Sequence, residues 1–411
     1  MKQTIIKIII VAILILYCFF NKFVVVLPFV IILFLFFLHE LYTATKKDLT
    51  GLIYSERLTL FIVYSTITLI WSPNREEALF QLSILIILVV VSFLLFYFIR
   101  KYQYYDLLLY SLLLVSFINH LGALGLTVFD PLMFNSLEKG GSTGVINGWG
   151  WGNRFSGVLD NPNSLSIFLI FSLFLSCYVL SKQNHLLKLN RLLEYICFIN
   201  IPLSLYTIFM TQSRKGMVFG VLLLIAFLLL QFSWRKLLPY FIGVFSAILM
   251  IVFLPNLFLI FSDAYGRLDI LLNLVQGSGV VDNSSLQRFH LIEIGWEKIR
   301  ERPIFGHGIN SFRYYYEFYA HNNFIELLFG VGIIGFMIYY SIHVSIFRTL
   351  LRNSNNNLFL IAFLLILLAM DIGFVSYESK LNMLFFVTIS LIISESNGEN
   401  VKSSNIPDEN I

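Results

Sequence analysis

The sequence predicts an all-α polytopic membrane protein, with about 12 transmembrane helices and a long, partly helical loop on the extracytoplasmic side. Three observations predict it. Of the 411 residues, 58% are hydrophobic and 13% charged, whereas soluble domains carry about 25% charged residues. Apolar runs near the roughly 20 residues needed to cross a bilayer core recur along the chain. Lys and Arg also alternate from one short connection to the next, as the positive-inside rule requires. The 42 Phe and 21 Tyr suit the same solvent, because aromatic side chains tolerate both lipid and its interface.

The apolar runs lie near 4–20, 23–38, 58–71, 78–99, 105–129, 163–181, 194–212, 217–232, 238–261, 323–347, 357–375 and 380–394. The first, led by MKQTIIK, has no small-residue cleavage site, and a second run begins just after Asn21 and Lys22. It is therefore expected to be a retained helix. One alternating set of connections holds Lys2 and Lys7, Lys46 with Lys47 and Arg57, and Arg100 with Lys101. It continues with Lys182, Lys188 and Arg191, then Arg235 and Lys236, Arg348 and Arg352, and Lys402. That set faces the cytoplasm, so both termini do too, and loops 130–160 and 262–320 face outward. The expected organisation is one transmembrane domain over 1–394 and a disordered cytoplasmic tail over 395–411. Cys18, Cys177 and Cys197 all lie in apolar runs. They read as small buried hydrophobes, with neither a disulfide framework nor zinc-ligand spacing.

Four places on the outer side carry polar residues with more to do than packing. The first is WGNRFSGVLDNPNSLSIF. Asn161, Pro162 and Asn163 there make a helix start, downstream of Arg154 in a Gly-rich stretch. The bland alternative is a capped helix beside an interfacial Arg. The second is MTQSRKGM, a short turn where Arg214 and Lys215 stand against the charge bias. Two cations on that side suggest an anionic partner; the alternative is a pair snorkelling to lipid head groups.

The third is SSLQRFHLIEIGWEKIRERPIFGHGINSF. Leu286, Phe289, Ile292, Trp296 and Ile299 recur at three and four, describing an amphipathic helix that Pro303 stops. Ser284 or Ser285 caps it; if Ser285 is the cap, Arg288 lies in the first turn, beside unpaired amides and the positive dipole end. Its planar fork suits phosphate oxygens. The fourth is YAHNNFIELLFGVGIIGF. Asn323 and Glu326 resemble a capping box, preceded by His321 and Asn322. The helix dipole there should favour the neutral imidazole, which can accept a proton. His120, His185 and His343 lie at helix ends or in apolar runs without such surroundings, and His307 between two glycines reads as a turn residue.

No Walker motif, dinucleotide fingerprint or Ser-centred nucleophile elbow is present. No outward cluster of Asp suggests a metal-dependent transferase, and no internal repeat suggests a secondary transporter.

In order, GVLDNPNSLSIF, TQSRKG, QRFHLIEIGWEKIRERPIFGHG and HNNFIELLFGVGIIG resemble the O-antigen ligase and O-antigen polymerase (Wzy-type) superfamily over residues 150–340. His307 departs from it, standing where a small or aliphatic residue is more usual. The resemblance implies metal-independent, cofactor-free transfer of glycan from undecaprenyl diphosphate at the outer face of the bacterial inner membrane. It implies catalytic roles for Arg214, Arg288 and His321. Substrate contacts are expected from Arg154, Asn161, Asn163, Lys215 and Asn322. Two guanidinium groups and a helix amino terminus can stabilise a departing diphosphate, and His321 can take the acceptor hydroxyl's proton.

The expected activity is a polysaccharide polymerase, for O-antigen, capsule or exopolysaccharide, with lipid-linked oligosaccharide as both donor and acceptor. The expected partners are those lipids, the bilayer, and the pathway's flippase and chain-length regulator, with no nucleic acid. One alternative is a ligase of the same fold that passes the glycan to a lipid A core or another terminal acceptor. Another, from a different class, is a flippase for the lipid-linked oligosaccharide, which would place charges deep within helices.

Overall fold

The computed structural model describes residues 2–19, 25–41, 55–129, 145–146, 150–151, 154–159, 161–181, 191–231, 283–352 and 357–403. Among them lie α1 (Lys2–Phe19), α2 (Leu27–Leu41), α3 (Ser55–Thr68), α4 (Arg75–Tyr102) and α5 (Tyr105–Phe129). Then follow α6 (Pro162–Leu180), α7 (Arg191–Met210), α8 (Arg214–Gln231), α9 (Asn283–Ile299), α10 (Ser311–Tyr316), α11 (Asn323–Arg352), α12 (Leu358–Met370) and α13 (Lys380–Ser403). Each apolar run falls on one of these helices except 238–261, which lies outside the described residues, as do 130–144 and 262–282. By length and composition, α4, α5, α6, α7 and α11 are able to cross a membrane, and α2 and α12 are shorter apolar helices. The protein is a multi-pass, predominantly helical membrane protein.

Two stretches differ from expectation. Ahead of α6 lie three antiparallel strands of two residues each, β1 (Val145–Ile146), β2 (Gly150–Trp151) and β3 (Arg154–Phe155). Val145, Ile146, Trp151 and Phe155 are the β-branched and aromatic residues that suit an extended chain. At the other end, α13 runs on to Ser403, into the stretch expected to be a disordered tail from 395.

The chain divides into two compact units, 1–32 with 104–280 and 33–103 with 281–411. In the first, α6 is the centre. It is buried along nearly its whole length and packs on α7 and α8. A Cβ on Gly216 of α8 would lie 2.6 Å from Ser166 Cβ, the close approach that small residues permit between membrane helices.

Inside this unit His120, read as having no informative surroundings, sits in a network. Its Nδ1 is 2.7 Å from Thr207 Oγ1 and its Nε2 is 3.1 Å from Asn200 Oδ1. Asn200 donates on to Ser172 and Ser176, and Ser116 donates to Ser172. Both ring nitrogens are thus served by protein, which makes the network polar glue between α5, α6 and α7.

In the second unit α11 is the hub, with α3, α9 and α12 against it and α13 along α4. Helix α9 docks by Leu291, Gly295 and Ile299, joined by Phe312, Ala320, Ile325 and Phe329. Of the apolar face expected for it, Phe289 and Trp296 stand 66% and 48% exposed. The glycine decides the difference. A Cβ on Gly295 would lie 2.8 Å from Ile325 Cγ2 and 2.9 Å from Phe312 Cε2, so the smallest residue sets the closest approach.

Helix α11 is broken at Gly332 (φ 63°, ψ −171°), a backbone that glycine adopts without strain. The preceding loop closes the break. His307 and Gly308 donate their amides to Phe329 O and Gly330 O, both at 2.8 Å, and Ile333 N donates to Pro303 O at 2.9 Å. Gly306 and Gly332 lie where any Cβ would collide with the opposing backbone. The glycines of PIFGHG and FGVG are two halves of one backbone interlock.

Candidate functional site

In the first unit, Asn161 caps α6. Its side-chain oxygen accepts from Asn163 N and Ser164 N, with Pro162 at the first helical position. Such a cap is worth about 1 kcal/mol. Capping turns Asn163 toward its neighbours. Asn163 Oδ1 accepts from Arg154 Nη2 at 2.9 Å and from Ser213 Oγ at 3.1 Å. Arg154 also donates through Nε to Thr211 O at 3.0 Å. The guanidinium thus bridges the start of α6 and the α7–α8 turn.

Ser213 Oγ accepts from Gly216 N, so it caps α8. Arg214 and Lys215, both half-buried, are the first two residues of that helix. Two cations at the positive end of a helix dipole are unfavourable by about 0.3–1 kcal/mol each. Their position therefore favours an anion.

In the second unit, α9 begins at Asn283, so Arg288 is its sixth residue and lies beyond the first turn. The expectation that Arg288 sits among unpaired amides is corrected, because those belong to the first four helical residues. Its side chain is half-buried, and its charge bears on Tyr319 instead. Burial raises the Tyr319 hydroxyl above the usual tyrosine range, while the charges of Arg288 and then Arg313 pull it back. Arg313 Cζ lies 5.6 Å from the Tyr319 ring centre. That ring is 4.0 Å from the His321 ring, centre to centre.

His321 occupies a pinned turn. Its backbone is left-handed (φ 54°), a conformation uncommon for residues other than glycine. On one side, Ala320 N donates to the buried Glu326 carboxylate at 2.7 Å. On the other, Asn322 Oδ1 accepts from Phe324 N and Ile325 N. The cap of α11 is therefore Asn322, and the expected Asn323–Glu326 capping box is not formed. Asn323 faces inward instead. Its oxygen accepts from Ser376 N and Tyr377 N, and its amide donates to Tyr340 and to the buried Asp371.

The loop gripped in this way also carries Glu378, which pairs with Arg313 at 3.2 Å and accepts from Gln81. Burial pushes the Glu378 carboxyl up, and Arg313 opposes the shift. From His321 the contacts run through Tyr319 and Arg313 to Glu378, whose neighbour Tyr377 donates its amide to Asn323, next to the turn that holds His321.

Sequence reasoning missed Arg313, Tyr319 and Glu378. A signal was present in FRYYYEFYAHNN, where a cation and a run of aromatic residues precede the histidine. His307 is also more than a turn residue. It is buried, its Nε2 donates to Lys298 O at 3.0 Å, and its ring lies 4.8 Å from that of Phe329. Arg214 and Arg154 belong to one unit, and Arg288 and His321 to the other.

Residues 199–340 match the family model Wzy_C, O-antigen ligase. The resemblance to the O-antigen ligase and polymerase superfamily holds over this segment. It covers about a third of the chain and includes Arg214, Lys215, Arg288, His321 and Asn322; Arg154, Asn161 and Asn163 lie before it. No curated protein matches the chain.

Proposed function

We propose that the protein is a polysaccharide polymerase of the bacterial inner membrane. It transfers a growing glycan from undecaprenyl diphosphate to a hydroxyl of the next lipid-linked repeat unit, on the outer face. The observation that supports this best is the pinned His321 turn, with Arg288 and Arg313 bearing on Tyr319 beside it, inside the matched segment. The acceptor oxygen forms a bond to the donor sugar's C1, the C1–O bond to phosphate breaks, and the hydroxyl proton passes to His321. The departing diphosphate's charge is met by guanidinium groups rather than by a metal, and each unit supplies its own candidate, Arg214 in the first and Arg288 in the second. Lys215 and Arg154 add to the positive field, and Asn161, Asn163 and Asn322 hold the helix starts from which the substrate is gripped.

The test is reconstitution in liposomes with the lipid-linked repeat unit alone. A ladder of longer lipid-linked products is expected, and none from the His321→Ala protein.

A second reading, a ligase, is favoured by the description of the matched family. In that case the repeat unit alone gives no ladder, and product forms only when a lipid A core or other terminal acceptor is added.

A further inference from the structure

Gln212 is the tip of the α7–α8 turn, and 2% of its surface is exposed. Its backbone is left-handed (φ 47°). Its side-chain oxygen and nitrogen are both buried and have no hydrogen-bond partner among the described residues. The residues on either side are well bonded. Thr211 donates its hydroxyl to Ile208 O and accepts from Arg154 at its carbonyl. Ser213 is bonded to Asn163 and to Gly216 N.

Gln212 thus carries two separate penalties, a strained backbone and a desolvated amide with both halves unmet. Glycine would remove both. Such an unmet group in a native fold calls for something that meets it.

The surroundings say what that is. Gln212 directly precedes the cap of α8, an 18-residue helix whose amino terminus carries Arg214 and Lys215. Phosphate oxygens accept but do not donate, so they suit the cations and would leave the Gln212 oxygen facing an anion. A carboxamide presents a donor and an acceptor side by side. Neighbouring hydroxyl groups of a sugar ring, or its acetamido group, offer the complementary pair.

We propose that Gln212 is a specificity-determining residue, which hydrogen-bonds the hydroxyl or acetamido groups of the sugar ring attached to the donor's phosphate. This rests on the glycan-transfer reading above. It explains why the amide is kept at a position where packing alone would discard it.

The experiment uses the full-length protein in liposomes and the variant Gln212→Met, which keeps the shape and removes the amide. Substrates are lipid-linked repeat units that differ only in whether the ring next to the phosphate bears hydroxyl or acetamido. The expected result is an unchanged or higher Tm together with a kcat/KM lowered at least about tenfold. The preference of the wild type between the two donors should also be lost. An unchanged kcat/KM and preference would overturn the proposal and leave the amide served by an ordered water only.

If neither protein makes product, the transfer reading fails. Gln212 is then judged by thermal shift with the lipid-linked saccharide against undecaprenyl diphosphate without sugar. A sugar-dependent shift seen in the wild type and lost in Gln212→Met supports the proposal, and equal shifts overturn it.

Discussion

The polar cluster around Arg154 and the one around His321 are built in opposite ways. Arg154 is oriented by neutral acceptors, Thr211 O and Asn163 Oδ1, which stand at helix ends. Those two bonds fix the direction of the guanidinium, and Arg214 and Lys215 follow on the next turn. Around His321, Arg313 is held by the Glu378 carboxylate and covered by the Tyr319 ring, and Tyr319 stands about a third exposed. The first cluster gathers Arg154, Arg214 and Lys215 about two helix starts. The second spends charge internally and offers an aromatic surface with an imidazole. Under the proposed transfer, the anion falls to the arginines and the uncharged hydroxyl to His321.

The largest expected effect comes from removing the imidazole. His321→Ala should lower turnover by about 10²–10⁴-fold, the range of a positioned base. Donor binding, followed by thermal shift with the lipid-linked repeat unit, should be kept. Loss of donor binding instead would move His321 to the anion side of the comparison.

Next is Arg288→Lys, which keeps the charge and loses the fork. Product ladders in liposomes should shorten, with a fall in kcat/KM of about 10–100-fold if two hydrogen bonds to one phosphate are lost. Ladders of wild-type length would remove Arg288 from the site.

A smaller effect is expected of Glu378→Gln. It releases Arg313 from its ion pair but leaves Arg313 the ring of Tyr319. Activity should fall by about tenfold or less, since a partly exposed pair contributes on the order of 1 kcal/mol. Restoring activity with Glu378→Asp would confirm a positioning role, whereas equal losses in both variants would point to direct contact with substrate.

The smallest is a pH effect on stability. Burial holds His307 below its ordinary 6.5, with its bond to Lys298 O working against that shift. Below that pH the unfolded chain binds the proton more readily than the folded one, so stability falls as pH drops; above it the contribution is constant. The Tm of the wild type should therefore fall faster on acidification than that of His307→Gln. Parallel Tm curves would show that His307 carries no such linkage.

Much of the helical framework was legible because apolar length and helix-start chemistry are local. Asn161 with Pro162 marks the start of α6 without reference to any other part of the chain. His321 was singled out the same way, from its place ahead of an apolar run. What could not be read depends on partners far apart in sequence. Arg313 and Glu378 are 65 residues apart with no spacing that links them. Which of the adjacent Asn322 and Asn323 would cap α11 was decided by Asp371, Ser376 and Tyr377, which claim Asn323 for themselves. The face of α9 turned on Gly295, the residue an apolar pattern counts least. The network at His120 needed three helices to assemble before any of its members had a partner.

The interlock at Gly332 bears on how the protein reaches the membrane at all. A helix opened at that point and left alone in lipid would expose the carbonyls of Phe329 and Gly330 and the amide of Ile333, at several kcal/mol each. Residues 303–308, which cover them, come off the ribosome earlier than α11. The cover is thus synthesised before the gap it closes, and the expected outcome is that α11 settles in the bilayer as a pair with that loop. Gly306→Ala, whose added methyl would collide with the Gly330 carbonyl, should accordingly show itself as a smaller amount of membrane-integrated protein, with the surviving molecules close to normal in turnover.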